Sequence, residues 1–269
     1  MNKQQKIPKI IHYCWFGRGS MPEIVDKCIA TWKEKCPDYE IKLWNEDNFN
    51  VDLLKFTSEA YKQKKFAFVS DVARLWAVYN YGGIYLDVDV LLRAPLDEWL
   101  NYEAVFIGED TQCIATGLGF AAVKKNKIVK AMLDDYNDRE FIMEPCPILN
   151  TKVFINLYPE IEFFYESRTI SDELMLIGVE HRGKYLKHLY MGSWCEDKKK
   201  EIDADDKPST FFQIARWKFV CFFRQPKVIK YMKEHNNPFT KIYLLFAYDF
   251  IEKGFSYYFK KAFKKVFRK

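Results

Sequence analysis

The sequence predicts an α/β fold with a mostly parallel central sheet, and three observations lead to this prediction. Short apolar or alternating segments, typical of strands, take turns with longer segments of helical periodicity. Turn-forming Gly, Asn and Asp residues separate many of these segments. With 269 residues, 49% of them hydrophobic, the chain is long enough to bury a substantial core. Strands that alternate with helices pair mostly in parallel, because each helix returns the chain across the sheet.

The individual elements follow this alternation. Strands are expected in KIIHYCWFG (residues 9–17), YEIKLWN (residues 39–45), EAVFIGED (residues 103–110) and LGFAAV (residues 118–123). Helices are expected in MPEIVDKCIATWKEKC (residues 21–36), at about Val51–Lys64 and Phe68–Tyr81, and near Ile128–Tyr136.

A further strand is expected in IYLDVDVLL (residues 84–92), where Gly82 and Gly83 end the preceding helix. Side chains i and i+2 of a strand share one face. Asp87 and Asp89 would therefore point the same way, about 6–7 Å apart.

The alternation ends in the charged stretch Glu196–Lys207. We therefore predict a first domain of residues 1–205 and a mostly helical C-terminal extension of residues 206–269. The net charge of +5 is concentrated in the last part of this extension. The rest of the chain is close to neutral and offers no extended basic groove, which argues against a nucleic-acid partner.

The cysteines and the N-terminal segment indicate the cellular compartment. The seven cysteines are scattered without a CxxC pair, and no long apolar segment at the N-terminus precedes a small-residue cleavage site. These features predict free thiols in a cytoplasmic protein without a signal peptide. The segment IYLLFAY (residues 242–248) is among the longest apolar runs and is too short to span a bilayer.

Asp87 and Asp89 stand in an otherwise apolar segment, where two neighbouring carboxylates repel each other unless a cation lies between them. Taken alone, two acidic residues at this spacing are most often a solvated strand edge. The apolar surroundings and the preceding glycines favour instead a site for Mn²⁺ or Mg²⁺. These ions prefer oxygen ligands and bind jointly with substrate phosphates.

Four segments together resemble glycosyltransferase family 32, the sugar transferases with a DxD motif: IPKIIHYCWFG, CPDYEIKLWNEDNF, FAFVSDVARLWAVYNYGGIYLDVDV and HLYMGSW. The resemblance covers roughly the first 100 residues densely and returns near His188–Trp194. It implies a GT-A type nucleotide-sugar-binding fold. It also implies retaining, metal-dependent transfer from a nucleotide-diphosphate sugar, with a UDP-sugar favoured, to a saccharide acceptor.

The resemblance also implies roles for individual residues. Asp89 resembles the aspartate that contacts the metal, and Asp87 the one that binds the ribose or the donor sugar hydroxyls. Asp71 and Arg74 resemble the pair that grips the donor sugar and its diphosphate. At i and i+3 of a helix they share a face, and the Arg fork suits oxygen ligands. The alternative is an exposed intrahelical ion pair of little energetic value.

Four further roles come from the same resemblance. Trp15 resembles the aromatic residue that packs against the nucleotide base, although a core tryptophan fits its position equally well. His188 and Ser193 resemble residues near the metal and diphosphate, and Trp194 one that contacts the leaving phosphate. A lone histidine is otherwise more often structural, which is our interpretation of His12.

One segment departs from the family pattern. Where many relatives carry an Asn after the FIGED strand, this chain reads CIATGLGFAA, with Ala115 or Thr116 at that place. The amide of that Asn lies near the reactive sugar carbon in the family. The residue that supports the reaction centre, and with it the choice of donor, is therefore left open.

The terminal segment GFSYYFKKAFKKVFRK (residues 254–269) forms an apolar aromatic stripe and a basic face when it is drawn as a helix. This pattern favours contact with an anionic membrane surface, which we expect to be the inner face of the plasma membrane. A helix docked on the body and a calmodulin-like partner peptide are the alternatives.

Together these features predict a peripheral-membrane hexosyltransferase with a lipid-linked saccharide acceptor in capsule or polysaccharide synthesis. Two rivals use the same residues. A nucleotide-sugar hydrolase would release product without an acceptor, whereas a non-catalytic nucleotide-sugar-binding scaffold would bind donor without turnover.

Overall fold

The computed structural model describes residues 5–109, 113–161, 167–171 and 173–189. The nine strands found there are β1 (Ile10–Cys14), β2 (Glu40–Trp44), β3 (Gly83–Tyr85), β4 (Val90–Leu92), β5 (Ala104–Ile107), β6 (Phe120–Ala122), β7 (Arg168–Ser171), β8 (Leu174–Ile177) and β9 (Leu186–His188). The predicted C-terminal extension lies outside the described residues, so the domain boundary at residues 205/206 stays a prediction.

Six α-helices and one 3₁₀-helix connect these strands within the same residues. The α-helices are α1 (Glu23–Lys35), α2 (Lys55–Lys62), α3 (Phe66–Tyr81), α4 (Lys127–Asp134), α5 (Cys146–Leu157) and α6 (Val179–Tyr185), and the 3₁₀-helix spans Asp97–Asn101. Among these helices none is both long and apolar enough to cross a membrane.

The central sheet has seven strands in the order β2-β1-β3-β6-β5-β8-β7. Strands β2, β1, β3, β5 and β8 run in one direction, and β6 and β7 run in the other. The predicted α/β fold with a mostly parallel sheet is therefore confirmed. A separate two-stranded antiparallel sheet pairs β4 with β9.

Apolar side chains cover both faces of the central sheet, as strands that alternate with helices require. Along β5, Ala104 and Phe106 belong to one buried cluster, whereas Val105 and Ile107 belong to the other. Helices α3 and α4 contribute to the first cluster, and α1 contributes Cys28 to the second. A strand buried on both faces needs no polar alternation, which explains the continuous apolar runs of the sequence.

Two glycines make the sharp connection between α3 and β3, as the sequence indicates. Gly82 has φ of 70° and Gly83 has φ of 109°, both in the region that favours glycine. A Cβ on Gly83 would lie 2.7 Å from the carbonyl oxygen of Ile10 in the adjacent strand. Any side chain at residue 83 would therefore force β3 away from β1.

The predicted strand through Asp87 and Asp89 is wrong. Strand β3 ends at Tyr85, and residues 87–90 form a turn in which Val90 N donates to Asp87 O at 3.1 Å. The chain leaves the central sheet here because β4 pairs instead with β9. The two carboxylates therefore come together through a turn and not through the two-residue period of a strand.

Apart from the strand through Asp87 and Asp89, the helices and strands predicted before residue 135 are found, with different bounds for some. Helix α2 begins at Lys55, not at Val51, and helix α3 begins two residues earlier than expected, at Phe66. Helix α5 and the elements from β7 to β9 were not predicted. Two of these strands complete the central sheet, because β8 pairs with β5 and β7 pairs with β8.

His12 lies on β1 and is completely buried, in agreement with its structural interpretation. Its Nε2 lies 2.7 Å from the carbonyl oxygen of Gly82, and Trp44 Nε1 donates to its Nδ1 at 3.1 Å. These two contacts require a neutral ring protonated on Nε2. Burial lowers the pKa of His12 from 6.5 to about 4.

This lowered pKa predicts that the free energy of unfolding decreases in acid. Because the folded state disfavours the protonated ring, the stabilisation is complete above pH 6.5 and is lost as the pH falls towards 4. The loss amounts to about 3 kcal/mol in the free energy of unfolding. His12→Gln keeps a donor for Gly82 but does not titrate. The difference in unfolding free energy between wild type and His12→Gln should therefore shrink over this range in urea titrations. A difference that stays constant with pH would contradict the assignment.

Candidate active site

The candidate site lies where parallel strands end at one edge of the central sheet. Trp15 follows the last residue of β1, Asp87 follows β3 by two residues, and Glu109 follows β5 by two residues. These three strands run in the same direction, so their carboxyl ends lie at the same edge. Open α/β sheets bind ligands at this edge.

A buried cation, Arg74, lies at the centre of the site. Arg74 Nη2 lies 2.9 Å from Asp71 Oδ1 and 3.5 Å from Asp87 Oδ1, and the Arg74 side chain is only 5% exposed. Arg74 Nε also donates to the carbonyl oxygen of Ser70 at 3.1 Å. The alternative of an exposed intrahelical ion pair is therefore wrong, since Asp71 and Arg74 form a buried pair that a third residue joins.

Tyr85 connects this cation to Asp87. Its hydroxyl donates to Asp87 Oδ1 at 2.7 Å, and the Arg74 guanidinium carbon lies 4.9 Å from the centre of its ring. The ring face attracts the cation, and the hydroxyl fixes one carboxylate oxygen. Tyr85 therefore orients Asp87 and Arg74 together.

Asp87, Asp89 and His188 form a compact set of ligand atoms. One donor atom from each lies within 4.8 Å of the other two, and His188 Nε2 lies 3.2 Å from Asp89 Oδ1. The antiparallel pairing of Val90 with His188 brings the histidine to the aspartates. Two carboxylates and an imidazole suit a divalent cation such as Mn²⁺, so the residues fit the metal that the sequence predicts.

Charge and burial oppose each other in these groups. Burial raises the pKa of Asp71 to about 6, although Arg74 acts against this shift. Burial likewise raises the pKa of Asp87, with Arg74 again opposing. Burial is the largest influence on the pKa of His188 and lowers it, but the hydrogen bond to Asp89 and the neighbouring carboxylate charges together outweigh burial, so the net pKa is raised. Arg74 stays charged, since its pKa is raised well above the normal value.

The segment that departs from the family pattern lines the inner side of this site. Ala115 and Thr116 are both completely buried, and Gly117 O accepts a hydrogen bond from Asp87 N at 3.2 Å. A Cβ on Gly117 would lie 2.7 Å from Arg74 Nη1 and 2.8 Å from Asp87 Oδ2. A larger residue here would therefore displace the two charged groups that approach the backbone.

The other predicted residues have different outcomes. Trp15 is half-buried, and its Nε1 donates to the carbonyl oxygen of Gly19 at 2.8 Å. Trp15 lies at the same sheet edge as Asp87, while its role against a base stays a prediction. Ser193 and Trp194 lie outside the described residues.

The sequence interpretation missed Tyr85, Gly117 and Cys146 at this site. Cys146 accepts a hydrogen bond from Arg74 Nη1 at 3.7 Å, although the two residues are 72 positions apart. Tyr85 could have been suspected, since it lies two positions before Asp87. Nothing in the local sequence marks Cys146, because its role depends on the packing of α5 against the site.

A family model matches the part of the chain that holds most of this site. Residues 22–106 match the model described as "Glycosyltransferase sugar-binding region containing DXD motif". This segment includes Asp71, Arg74, Asp87 and Asp89.

Two kinds of curated protein are similar to the chain. Inositol phosphoceramide mannosyltransferase 1 of Schizosaccharomyces pombe is 28% identical over 163 residues, which cover 55% of this chain and 49% of that protein. Inositol phosphoceramide mannosyltransferase 3 of the same yeast is 35% identical over 114 residues, or 38% and 30% of the two chains. Subversion of eukaryotic traffic protein A of Legionella pneumophila is 27% identical over 124 residues, or 36% and 19%. The matched segment thus spans about half the length of the first relative and less of the others.

Among solved structures, the chain is similar to PaToxG Glycosyltransferase, with a TM-score of 0.50 and 19% sequence identity. The match covers 58% of this chain and 70% of that one. This likeness confirms the predicted GT-A type fold. In sequence, residues 22–106 are similar to the glycosyltransferase sugar-binding region with a DXD motif.

Proposed function

We propose that this chain is a metal-dependent, retaining glycosyltransferase. It transfers a hexose from a nucleotide-diphosphate donor to a saccharide acceptor carried on a lipid. The observation that carries the proposal is the buried contact of Arg74 with Asp71 and Asp87, directly beside the ligand set of Asp87, Asp89 and His188. A cation-binding carboxylate pair next to a fixed guanidinium suits a diphosphate leaving group.

Each residue has a role that follows from its position. Asp89 and His188, with Asp87, would hold Mn²⁺ or Mg²⁺, which supplies Lewis-acid neutralisation of the diphosphate when it is bound. Arg74 presents charged N–H groups to diphosphate or sugar oxygens, and Asp71 and Tyr85 hold it in place. The burial of this group excludes water, which strengthens its electrostatic effect.

The names of the relatives guide the choice of substrates. Both yeast relatives are named as mannosyltransferases of inositol phosphoceramide, a lipid carrying a polar head group. Their names support a hexosyl donor and a lipid-borne acceptor. We retain UDP as the favoured nucleotide from the family resemblance, and a role in capsule or polysaccharide synthesis stays a prediction on the same basis.

Nucleotide release from a panel of UDP- and GDP-sugars, measured with Mn²⁺ and then with chelator, tests the proposal. We expect slow, chelator-sensitive release from one donor that accelerates when a glycolipid acceptor is added. Release at full rate without acceptor would favour the hydrolase. Donor binding without turnover under any acceptor would favour the scaffold.

Asp89→Asn should abolish turnover of that donor and weaken Mn²⁺ binding, because the amide removes a negative ligand without changing shape. Turnover in the panel assay and Mn²⁺ binding by electron paramagnetic resonance check this outcome. Asp134→Asn is the control, since Asp134 is a half-exposed carboxylate paired with Lys130 on α4. Wild-type turnover in Asp89→Asn would remove Asp89 from the site.

Arg74→Lys should lower kcat/KM by about 100-fold or more, because a lysine keeps the charge but loses the Nε–H and Nη1–H donors that fix the guanidinium beside its two acids. Arg139→Lys is the matched control. Arg139 pairs with Asp135 and Glu144 at 2.6 and 3.6 Å and has no part in the proposed site. Equal kcat/KM values for the two variants would contradict the role of Arg74. Thermal melting of both variants separates a catalytic effect from a loss of folding.

Membrane contact through residues 254–269 is a separate proposal, based on the basic aromatic pattern of that segment. A chain ending at residue 253 should no longer sediment with vesicles that contain anionic lipid, while its turnover of a soluble donor is unchanged. Vesicles of neutral lipid serve as the control. Sedimentation equal to that of the full chain would refute the proposal.

A further inference from the structure

A chain of buried polar side chains leads from α5 to the Asp71–Arg74 pair. Cys146 begins α5, and Asn150 lies one turn further, with exposed fractions of 7% and 1%. Asn150 Nδ2 donates to Thr116 Oγ1 at 2.7 Å, and this oxygen lies 3.7 Å from Cys146 Sγ. The same sulfur accepts from Arg74 Nη1 at 3.7 Å, and the thiol hydrogen-bonds to Asp71.

The charge of Asp71 fixes the direction of every hydrogen bond in this series of side chains. An ionised carboxylate can only accept, so the thiol of Cys146 donates its single hydrogen to Asp71. Thr116 must then donate its hydroxyl hydrogen to the sulfur, and its oxygen must accept from Asn150 Nδ2. A side-chain amide with its nitrogen towards Thr116 is therefore the arrangement that completes the series.

Packing alone does not explain an amide at residue 150. In the described part of the chain, Asn150 Oδ1 is buried and has no hydrogen-bond partner. A buried acceptor without a partner is destabilising, so a leucine of similar size would be preferred if the residue only filled space. The donor half of the amide is what the neighbouring residues use.

We propose that Asn150 is a positioning residue that acts through Thr116 and Cys146 to hold Asp71 and Arg74 in the geometry that receives the donor diphosphate. This inference rests on the proposed function and deepens it. Asn150 itself does not touch the donor, because Thr116 and Cys146 separate it from Arg74.

Asn150→Asp tests the proposal because it preserves shape and replaces the donor nitrogen with an acceptor. The hydroxyl of Thr116 would then turn towards residue 150 and abandon Cys146. Thr151→Val is the matched control on the same helix. Thr151 is 7% exposed and is therefore also buried. Its replacement by valine removes hydrogen bonds with Ile114 N and Pro147 O, neither of which belongs to the series of side chains from Asn150 to Asp71.

The measurement is the binding of UDP and of GDP, each with Mn²⁺, by isothermal titration calorimetry. Asn150→Asp should weaken the affinity for whichever nucleotide wild type binds by at least tenfold, and Thr151→Val by less than twofold. If Asn150→Asp does not fold, Thr116→Val breaks the next link and should give the same loss. Wild-type affinity in a folded variant of either kind would overturn the proposal.

A double-mutant cycle on the free energy of unfolding gives a readout that is independent of nucleotide. Asn150→Asp and Cys146→Ala should be non-additive, whereas Thr151→Val and Cys146→Ala should be close to additive. Additivity in the first pair would refute the hydrogen-bonded connection from Asn150 through Thr116 to Cys146. If wild type binds neither UDP nor GDP, the proposed function fails and the positioning role fails with it. A non-additive cycle would then still establish the hydrogen bonds, so the two failures are distinguishable.

Discussion

The burial of one guanidinium is the constraint on which the rest of the site depends. Arg74 is 4% exposed within a helix whose inner face is otherwise mostly apolar. An uncompensated cation in such a place would cost several kcal/mol, so its partners are obligatory. They come from two directions, with Asp71 on the same helix and Asp87 and Tyr85 from the end of β3. Charged contacts as well as apolar packing therefore join α3 to the end of β3.

This arrangement leaves an excess of negative charge that a ligand can complete. Three carboxylates, those of Asp71, Asp87 and Asp89, lie near one guanidinium and one imidazole. A divalent cation corrects this excess, and a diphosphate in turn balances the cation and Arg74. Burial is the main cause of the raised pKa values of Asp71 and Asp87. A neighbouring carboxylate adds to each shift, and Arg74 is the largest influence against it. The protein groups by themselves therefore leave net negative charge at this edge of the sheet.

The sequence predicts this site better than it predicts the local structure around it. Asp71 and Arg74 could be paired because helical spacing places them on one face, and the structure joins them at 2.9 Å. Alternation and helical periodicity were sufficient for the elements up to α4. The turn at residues 87–90 was missed because its cause is distant, namely the pairing of β4 with β9. Tyr85 was within reach of inference, whereas Cys146 and Asn150 were not. Thr116 and Asn150 are 34 positions apart, and only the docking of α5 brings them together.

The short ladder between β4 and β9 limits where the chain can accept insertions and deletions. Leu92 opposes Leu186, and Val90 opposes His188, so the register of three residue pairs places the imidazole beside Asp89. A slip by one residue would present Lys187 or Leu189 there instead, since successive side chains of a strand point to opposite faces. The loops among the 93 residues between the two strands carry no such restriction on their length. Insertions or deletions in the connecting loops can therefore reshape the surroundings of the site during evolution, whereas a single-residue deletion inside either strand would dismantle it.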